Sequence, residues 1–272
     1  MDPELFRKGL LSEINKNIGK LMTGDGEWTV KGFIDIFKNI YTISVDTKVV
    51  SKILELMLFP IILTFCLKNN VKVMVASAQN HYPDLTFVFD DGTKLAMDIK
   101  SAYRVNHNRI SGFTLGAFTG YFRNRTSNKN STYPYSYYLK HYVLGVIYSR
   151  SRNDIDESKM YKLDEIESIA SVISDLEFII QEKFRIAHYV PGSGNTKNIG
   201  SVREIEDIRN GSGPFTQLGE NIFDDYWMYY QTSDMAADGN PPYTNLEQYI
   251  RYKKLGSNIN VDLTKDWDGV EK

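Results

Sequence analysis

The segment from Pro83 to Lys100 constrains the possible fold more than any other part of this chain. It contains two mostly apolar runs on either side of the dipeptide Asp91-Gly92, which is a strong signal for a turn between two β-strands. Asp84 stands before the first run, and Asp98 and Lys100 lie in the second. The sequence therefore predicts a β-hairpin that brings two carboxylates and an ammonium group together.

The length of the turn decides whether these side chains share one face of the hairpin. Side chains alternate along a strand, so Asp98 and Lys100 point to one face and Ile99 to the other. A two-residue loop would set Asp84 opposite Ile99, on the wrong face. A three-residue loop, in which residue 90 pairs with residue 94, would set Asp84 opposite Lys100. We therefore predict a three-residue turn or a bulge here.

Two carboxylates and a lysine are the groups that metal-assisted hydrolysis of a phosphodiester uses. Mg²⁺ prefers carboxylate oxygens, and beside a phosphate it neutralises developing charge and lowers the pKa of an attacking water. A lysine two residues beyond Asp98 can orient or deprotonate that water. The alternative is that Asp84 opens a turn and Lys100 is an exposed strand charge, because Asp-x-Lys patterns arise often by chance. Alone, the motif is a hypothesis of nuclease activity.

Periodicity predicts helices and strands on both sides of this hairpin. Asp46 is a predicted N-cap of a helix that runs toward Leu67 and is kinked or broken near Pro60. Helices that bracket a mixed sheet predict an α/β or α+β fold, and the lack of internal repeats or linkers predicts a single unit. The other predicted elements are weak helical spacing over residues 12–22, a helix over 164–184, and strands at 71–75, 142–148 and 185–190.

The distribution of charge suggests a partner, although the formal net charge is only −2 at pH 7. Residues 101–153 contain no Asp or Glu and carry several Arg and Lys residues. A basic face beside a metal site is the expected footprint of a phosphate backbone, but chance clustering on a solvated face predicts the same pattern. Charge alone therefore leaves both interpretations open.

Cysteine content and hydropathy bear on the compartment. The single cysteine, Cys66, lies in an apolar run and is expected to be a buried thiol, which fits a reducing cytoplasm. The longest apolar run, residues 54–67, is interrupted by Glu55 and Pro60 and is predicted to be too short to span a membrane. The N-terminal residues do not have the pattern of a secretory signal.

Three further polar features could bind metal or nucleic acid. Glu55 lies on an apolar helix face, where most glutamates are solvated or ion-paired, and a third acid near the metal is the functional alternative. Gln79 and Asn80 precede Asp84, and amide side chains read base edges well. The glycine-rich segment 192–198 lets the backbone approach a ligand and supplies Asn and Thr. Taken alone, ordinary surface loops explain both segments.

Together these segments resemble the EcoRV family of type II restriction endonucleases, within the PD-(D/E)xK nucleases. The most specific matches are Gln79-Asn80-His81-Tyr82-Pro83-Asp84 and Gly192-Ser193-Gly194-Asn195-Thr196. Other matches, in the same order along the chain, are Asp46-Thr47-Lys48-Val49, Glu55-Leu56, Asp98-Ile99-Lys100, Phe113-Thr114-Leu115-Gly116, Arg123-Asn124, Tyr133-Pro134, Asn198-Ile199-Gly200-Ser201 and Asp225-Tyr226-Trp227.

The resemblance implies a restriction-endonuclease-like mixed β-sheet core flanked by helices. It also implies a cytoplasmic homodimer that cuts both strands of palindromic double-stranded DNA with Mg²⁺, alongside a cognate DNA methyltransferase. Asp84, Asp98 and Glu55 are then expected at the metal, with Lys100 as the catalytic lysine. The intact loop 192–196 implies the target GATATC, cut bluntly to leave 5′-phosphate and 3′-hydroxyl ends. The residues expected to contact DNA are Gln79, Asn80, Gly192, Ser193, Gly194, Asn195, Thr196, Lys197, Arg104, Thr119 and Arg125.

The chain departs from the family pattern at several positions. Lys197 replaces a small polar residue, Ser101-Ala102 replaces a Thr-Thr pair, and Gly120 stands where the relative has a phosphate-contacting serine. These changes predict that some backbone contacts are lost or rerouted, through Arg104 or Arg125.

The resemblance also divides the chain by role. Residues 1–45 are expected to contribute to dimerisation, although those before Tyr41 match poorly. The catalytic core is expected at residues 46–150 and the recognition loop at 190–201. Two other functions remain open, which are a repair or junction nuclease with the same core and a non-catalytic DNA-binding protein.

Overall fold

Helices and strands alternate along the chain in a mixed α/β arrangement. The computed structural model describes residues 2–78, 80–151, 156–192, 197–236 and 238–254. The helices are α1 (Pro3–Lys16), α2 (Thr47–Lys68), α3 (Lys183–Ile186), α4 (Ile205–Asn210), α5 (Glu220–Tyr229) and α6 (Leu246–Lys254). The strands are β1 (Gly32–Ile34), β2 (Asn39–Thr42), β3 (Lys72–Val75), β4 (Leu85–Val88), β5 (Lys94–Tyr103), β6 (Thr114–Ala117), β7 (Lys140–Arg150), β8 (Met160–Lys162), β9 (Ile173–Glu182), β10 (Ala187–Pro191) and β11 (Asn198–Ser201).

A mixed sheet of five strands, in the order β3-β4-β5-β7-β9, forms the centre of the protein. Strands β5 and β7 run parallel, and the other neighbouring pairs are antiparallel. The predicted strands at residues 71–75 and 142–148 are confirmed, and β7 is buried along most of its length as a central strand should be. The predicted mixed sheet flanked by helices is confirmed.

Helices α1 and α2 contribute to the apolar core on one face of this sheet. The buried residues Phe6, Leu10 and Ile14 of α1 lie in the same core cluster as Leu54 and Leu58 of α2 and as strand residues of the sheet. The weak helical spacing over residues 12–22 is partly confirmed, since α1 ends at Lys16 and residues 18–20 form a 3-10 helix, but α1 begins at Pro3, before that spacing. Asp2 caps the helix by accepting hydrogen bonds from two first-turn amides, and Pro3 fits the first position because it has no N–H to satisfy.

Helix α2 begins where the sequence predicted. The Asp46 carboxylate accepts hydrogen bonds from Lys48 N at 2.8 Å and Val49 N at 3.3 Å. The helix continues through Pro60 without a break. Among the described residues, α2 alone has the length and composition of a membrane-spanning helix, and core helices of soluble proteins pass the same test. Cys66 is buried here as predicted, and burial raises the pKa of its thiol to about 12.

A second apolar core lies on the other face of the sheet, under the C-terminal helices. It joins Phe118 and Phe122 to Tyr226, Trp227 and Tyr249 of α5 and α6. A sheet in the order β10-β11-β6 borders this core, and β10 and β11 pair antiparallel within it. A further sheet in the order β1-β2-β8 lies outside both cores.

The helix predicted over residues 164–184 is wrong, because residues 173–182 of this segment form strand β9. Residues 163–168 form a 3-10 helix, and β9 then pairs antiparallel with β7. Asp175 has a φ of 53° and stands where the register shifts, so a bulge inserts one residue between Ile173 and Leu176. That insertion produces a three-residue apolar spacing, which imitates helical periodicity. The strand predicted at residues 185–190 is partly confirmed as β10.

Candidate active site

The hairpin β4–β5 has the three-residue turn that the sequence predicted. Phe89 N donates to Thr93 O at 3.0 Å, which leaves residues 90–92 as the loop. The turn lies one residue earlier in the chain than predicted, so the pairing is displaced by two residues, and Val88 pairs with Lys94 and Leu85 with Met97. Continuing this register sets Asp84 opposite Asp98 instead of Lys100. The parity is unchanged, so the charged side chains still share one face.

Asp84, Asp98 and Lys100 meet at the end of this strand pair. Lys100 Nζ lies 3.3 Å from Asp84 Oδ2 and 3.5 Å from Asp98 Oδ2. Ile99 N donates to Asp84 Oδ2 at 2.8 Å, and Asp84 N donates to Asp98 Oδ1 at 3.3 Å. The backbone of the hairpin therefore holds both carboxylates in place.

The two carboxylates raise the electrostatic cost of each other's charge. Burial raises the pKa of Asp84 above its ordinary value of 3.8, the Asp98 charge raises it further, and Lys100 opposes both. Burial lowers the pKa of Lys100, but the charges of Asp98 and Asp84 outweigh that effect and the net shift is upward. A cation that approached this pair would relieve the repulsion between the carboxylates.

Glu55 lies on α2, near this centre but outside it. Its carboxylate forms an ion pair with Lys52 at 2.7 Å, and its charge contributes to the raised pKa of Asp84. One turn earlier, Ser51 Oγ lies 2.5 Å from Ser101 Oγ, which ties α2 to the strand that carries Lys100. Among the described residues, no three His, Cys, Asp or Glu side chains form a cluster that could hold a metal ion. Glu55 is therefore near the two aspartates without joining them.

Gly116, Tyr121 and Lys183, to which the sequence analysis gave no role, complete the surroundings of Asp98. Gly116 has a φ of 92°, and a β-carbon built there would lie 2.6 Å from Tyr121 Oη, 3.6 Å from Lys183 Nζ and 3.8 Å from Asp98 Oδ2. Burial lowers the pKa of Lys183 to about 8, while the nearby Asp98 charge opposes this shift. Lys183 was missed because the wrongly predicted helix placed it near an exposed helix end.

The residues expected to contact DNA lie at separate places in the fold. Asn80 is exposed in the turn before β4, and Thr119 is half-buried before the 3-10 helix Gly120–Phe122. Gly192 N donates to Asn198 O at 2.9 Å, and Lys197 is exposed where the hairpin β10–β11 resumes. Gln79, Ser193, Gly194, Asn195 and Thr196 lie outside the described residues.

Four basic residues of the segment 101–153 form ion pairs with acids from later in the chain. Arg104 donates to Glu177 Oε2 at 2.9 Å, and Arg125 forms an ion pair with Asp224. Arg109 and Lys140 pair with Glu204 and Glu182. Tertiary contacts therefore supply carboxylates to part of the segment and reduce the free positive charge that its composition suggested. Arg104 and Arg125 would have to exchange these partners to bind phosphate.

A mixed sheet whose hairpin presents two aspartates and a lysine at one end defines a nuclease of the restriction-endonuclease type. The family model described as Restriction endonuclease EcoRV matches residues 24–254. The chain is 35% identical over 235 residues to a protein of Escherichia coli named "Type II restriction enzyme EcoRV", and the match covers 85% of this chain and 94% of that protein. The chain therefore belongs to the EcoRV family of restriction endonucleases and is a type II site-specific deoxyribonuclease.

Proposed function

We propose that this protein is a Mg²⁺-dependent endonuclease that cuts both strands of the palindrome GATATC, leaving blunt 5′-phosphate and 3′-hydroxyl ends. The observation that carries the proposal is that the carboxylates of Asp84 and Asp98 both lie within 3.5 Å of the Lys100 ammonium group. The target sequence is supported by the intact string Gly192-Ser193-Gly194-Asn195-Thr196 in a chain 35% identical to the E. coli relative.

The donor set fits a hard divalent cation. Asp84 and Asp98 supply only carboxylate oxygens, which Mg²⁺ prefers, and two protein ligands leave room for the waters that Mg²⁺ retains. Burial raises the pKa of Asp84 first, and the charge of Asp98 raises it further, so a cation bound here would relieve both costs. When bound, Mg²⁺ would neutralise developing charge on the phosphate and lower the pKa of the attacking water. Glu55 would add negative charge nearby.

The residues of this chain would divide the reaction between them. Lys100 can donate to a phosphate oxygen or orient the attacking water, because its ammonium group already lies between the two aspartates. Water attacks phosphorus in line with the 3′ oxygen, and the P–O3′ bond breaks so that the phosphate stays on the 5′ end. The backbone donors from Ile99 and Asp84 keep the carboxylates fixed, which limits the reorganisation that the transition state requires.

We assign recognition of the DNA site to two segments of the chain. We infer that residues 193–196, with Gly192 and Lys197, contact bases in the major groove, and that Gln79 and Asn80 follow the minor groove. Thr119 would contact the sugar-phosphate backbone of the DNA. Arg104 and Arg125 would do so only after leaving Glu177 and Asp224.

A homodimer would explain an apolar surface on the sheet β1-β2-β8. We name it the hairpin surface and define it by its exposed residues, which are Phe33, Ile34, Ile36, Phe37, Tyr41, Met160, Leu163 and Ile166. Ile36 is 89% exposed and Phe37 is 76% exposed, which is unusual for large apolar side chains that lie together. A second copy would cover the surface by isologous contact, and two active centres would then face the two DNA strands.

The cellular setting follows from this activity. A host whose own DNA contains the target would need a methyltransferase that protects the same sequence, and both would act in the cytoplasm, where DNA is accessible. The free thiol of Cys66 is consistent with that compartment. We further propose that the whole chain forms one functional unit, since both apolar cores pack on the same sheet.

Plasmid cleavage with mapped ends tests the proposal. The protein with Mg²⁺ is expected to give discrete blunt fragments ending at GATATC, and none with EDTA. Asp98→Asn should reduce the rate by at least about a thousandfold, the scale on which enzymes depend on a group that stabilises transition-state charge. Asp91→Asn, in the exposed turn of the same hairpin, is the matched control and should cleave normally.

The same assay separates the two other functions. Random nicking, or preference for branched substrates, would support a repair or junction nuclease. Binding without cleavage in any divalent metal would support a non-catalytic DNA-binding protein. Substantial activity in Asp98→Asn would falsify the role of this carboxylate.

A further inference from the structure

Lys183 is a buried cation that has no role in the proposed reaction as described above. It is the first residue of α3, only 2% exposed, and its Nζ has no hydrogen-bond partner among the described residues. Aromatic rings surround the ammonium group, with the centroids of Tyr82, Phe122 and Tyr135 at 5.2, 5.7 and 5.9 Å. Burying an unpaired charge is costly, so the surroundings must compensate it electrostatically.

The nearest source of compensation is Asp98. Lys183 Nζ and Asp98 Oδ2 both lie within 4 Å of the point that a β-carbon on Gly116 would occupy. Among the described residues, Asp98 forms an ion pair with Lys100 and none with Lys183. Lys183 therefore acts on Asp98 through its field across a short gap, and the aromatic rings around it keep water from screening that field.

The position of Lys183 along the chain adds a second connection. It directly follows β9, an edge strand of the catalytic sheet, and precedes β10, which leads into the loop proposed to read DNA. Gly116 lies on β6, which pairs with β11 of the same loop hairpin. The Lys183 ammonium group thus lies between the sheet β10-β11-β6 and the catalytic centre.

We propose that Lys183 is a positioning residue of the nuclease centre, whose buried ammonium group offsets part of the Asp98 charge and weakens cation binding when DNA is absent. The inference rests on the proposed function, since it assumes that Asp98 binds a cation. A phosphate of bound DNA brings negative charge that counteracts the repulsion between Lys183 and the metal, so metal and DNA bind cooperatively.

Metal binding by the full-length, DNA-free protein tests this proposal without relying on cleavage. Mn²⁺ is the probe, and free Mn²⁺ is measured by electron paramagnetic resonance. Lys183→Met removes the charge and keeps the length, so it should bind Mn²⁺ about tenfold more tightly or more, as expected for a like charge removed at this range. Lys183→Arg keeps the charge and should bind Mn²⁺ as the unaltered protein does.

Lys253→Met is the matched control, because Lys253 is also buried and lies in the distant cluster with Asp225 and Tyr249. It should leave Mn²⁺ affinity unchanged. Unchanged affinity in Lys183→Met, or an equal gain in Lys253→Met, would overturn the proposal. Thermal unfolding of each variant accompanies the titration. If Lys183→Met does not fold, Lys183→Gln replaces it with the same expected gain.

Asp98→Ala distinguishes failure of this inference from failure of the proposed function. If the unaltered protein binds Mn²⁺ and Asp98→Ala does not, the metal site stands and Lys183→Met alone decides the role of Lys183. If Asp98→Ala binds Mn²⁺ as tightly as the unaltered protein, the cation site is elsewhere, and the proposed function and this inference both fail.

Discussion

Gly116 shows how closely single residues are fitted around Asp98. Its backbone has a φ of 92°, and a β-carbon would lie 2.6 Å from the Tyr121 hydroxyl. We expect Gly116→Ala to lower the free energy of unfolding by at least about 2 kcal/mol, because the strain of the backbone adds to the contact with Tyr121. Urea unfolding followed by circular dichroism measures this change. The rate of DNA cleavage should fall as well, since the added methyl group would push the Tyr121 side chain against its neighbours beside Asp98.

Gly120 separates the two causes of that destabilisation. Its φ is 56°, and nothing lies within 4 Å of its β-carbon position. Gly120→Ala should therefore lose only the backbone part, about 1–2 kcal/mol. Equal losses in the two variants would mean that the approach to Tyr121 contributes nothing.

At the scale of the elements, the start of α2 positions both Ser51 and Glu55 beside the catalytic strand. Asp46 holds the first turn through its two bonds to backbone amides. Asp46→Ala should cost about 1 kcal/mol of stability, the usual loss for an N-cap aspartate. Chemical denaturation measures the loss, and Asp46→Asn should retain most of the stability because an amide oxygen also accepts these bonds. A full loss in Asp46→Asn would contradict capping as the cause.

Strand β9 shows why one element was predicted wrongly. The residues Ile173, Leu176 and Ile180 have helical spacing in the sequence and nevertheless belong to a strand buried in the same core cluster. The bulge at Asp175 changes the period, and Ile179 packs into the second core, so both faces of the strand are apolar. Pairing with β7 decides between helix and strand here, and this pairing joins residues far apart in sequence.

The whole molecule has a surface that only assembly would cover. Phe37 lies in the hairpin surface and is 76% exposed. Phe37→Glu should make the protein monomeric, because the proposed contact would then bury an unpaired charge from each copy. Sedimentation velocity measures the mass, and double-strand cleavage should fall with it.

Leu67→Glu provides the control for a charge placed on an exposed apolar residue. Leu67 is 69% exposed at the end of α2, outside the hairpin surface. This variant should remain dimeric and active. If the unaltered protein is itself monomeric at the concentration of the assay, the proposed dimer is wrong.

Much of the catalytic hairpin could be predicted from sequence because the rules are local. Alternation of side chains and the demand that Asp84 share a face with Lys100 led to a three-residue turn, which is confirmed. The exact register was wrong by two residues, because it depends on which backbone groups pair across the turn. Charge left open whether the basic segment forms a phosphate-binding face, and ion pairs such as that between Arg104 and Glu177 could not be found from local composition.

The sequence by itself determined the mixed α/β class, the start of α2, the catalytic hairpin and the family, since these depend on local periodicity, capping and motifs. Only the tertiary structure decided that Asp84 faces Asp98, that residues 173–182 are a strand, and that Lys183 lies buried beside the catalytic centre. The physical reason is that strand register, burial and electrostatic compensation arise between residues distant in the chain. The sequence from Pro83 to Lys100 therefore predicts that Asp84, Asp98 and Lys100 come together, and the surrounding fold determines which other charged groups act on them.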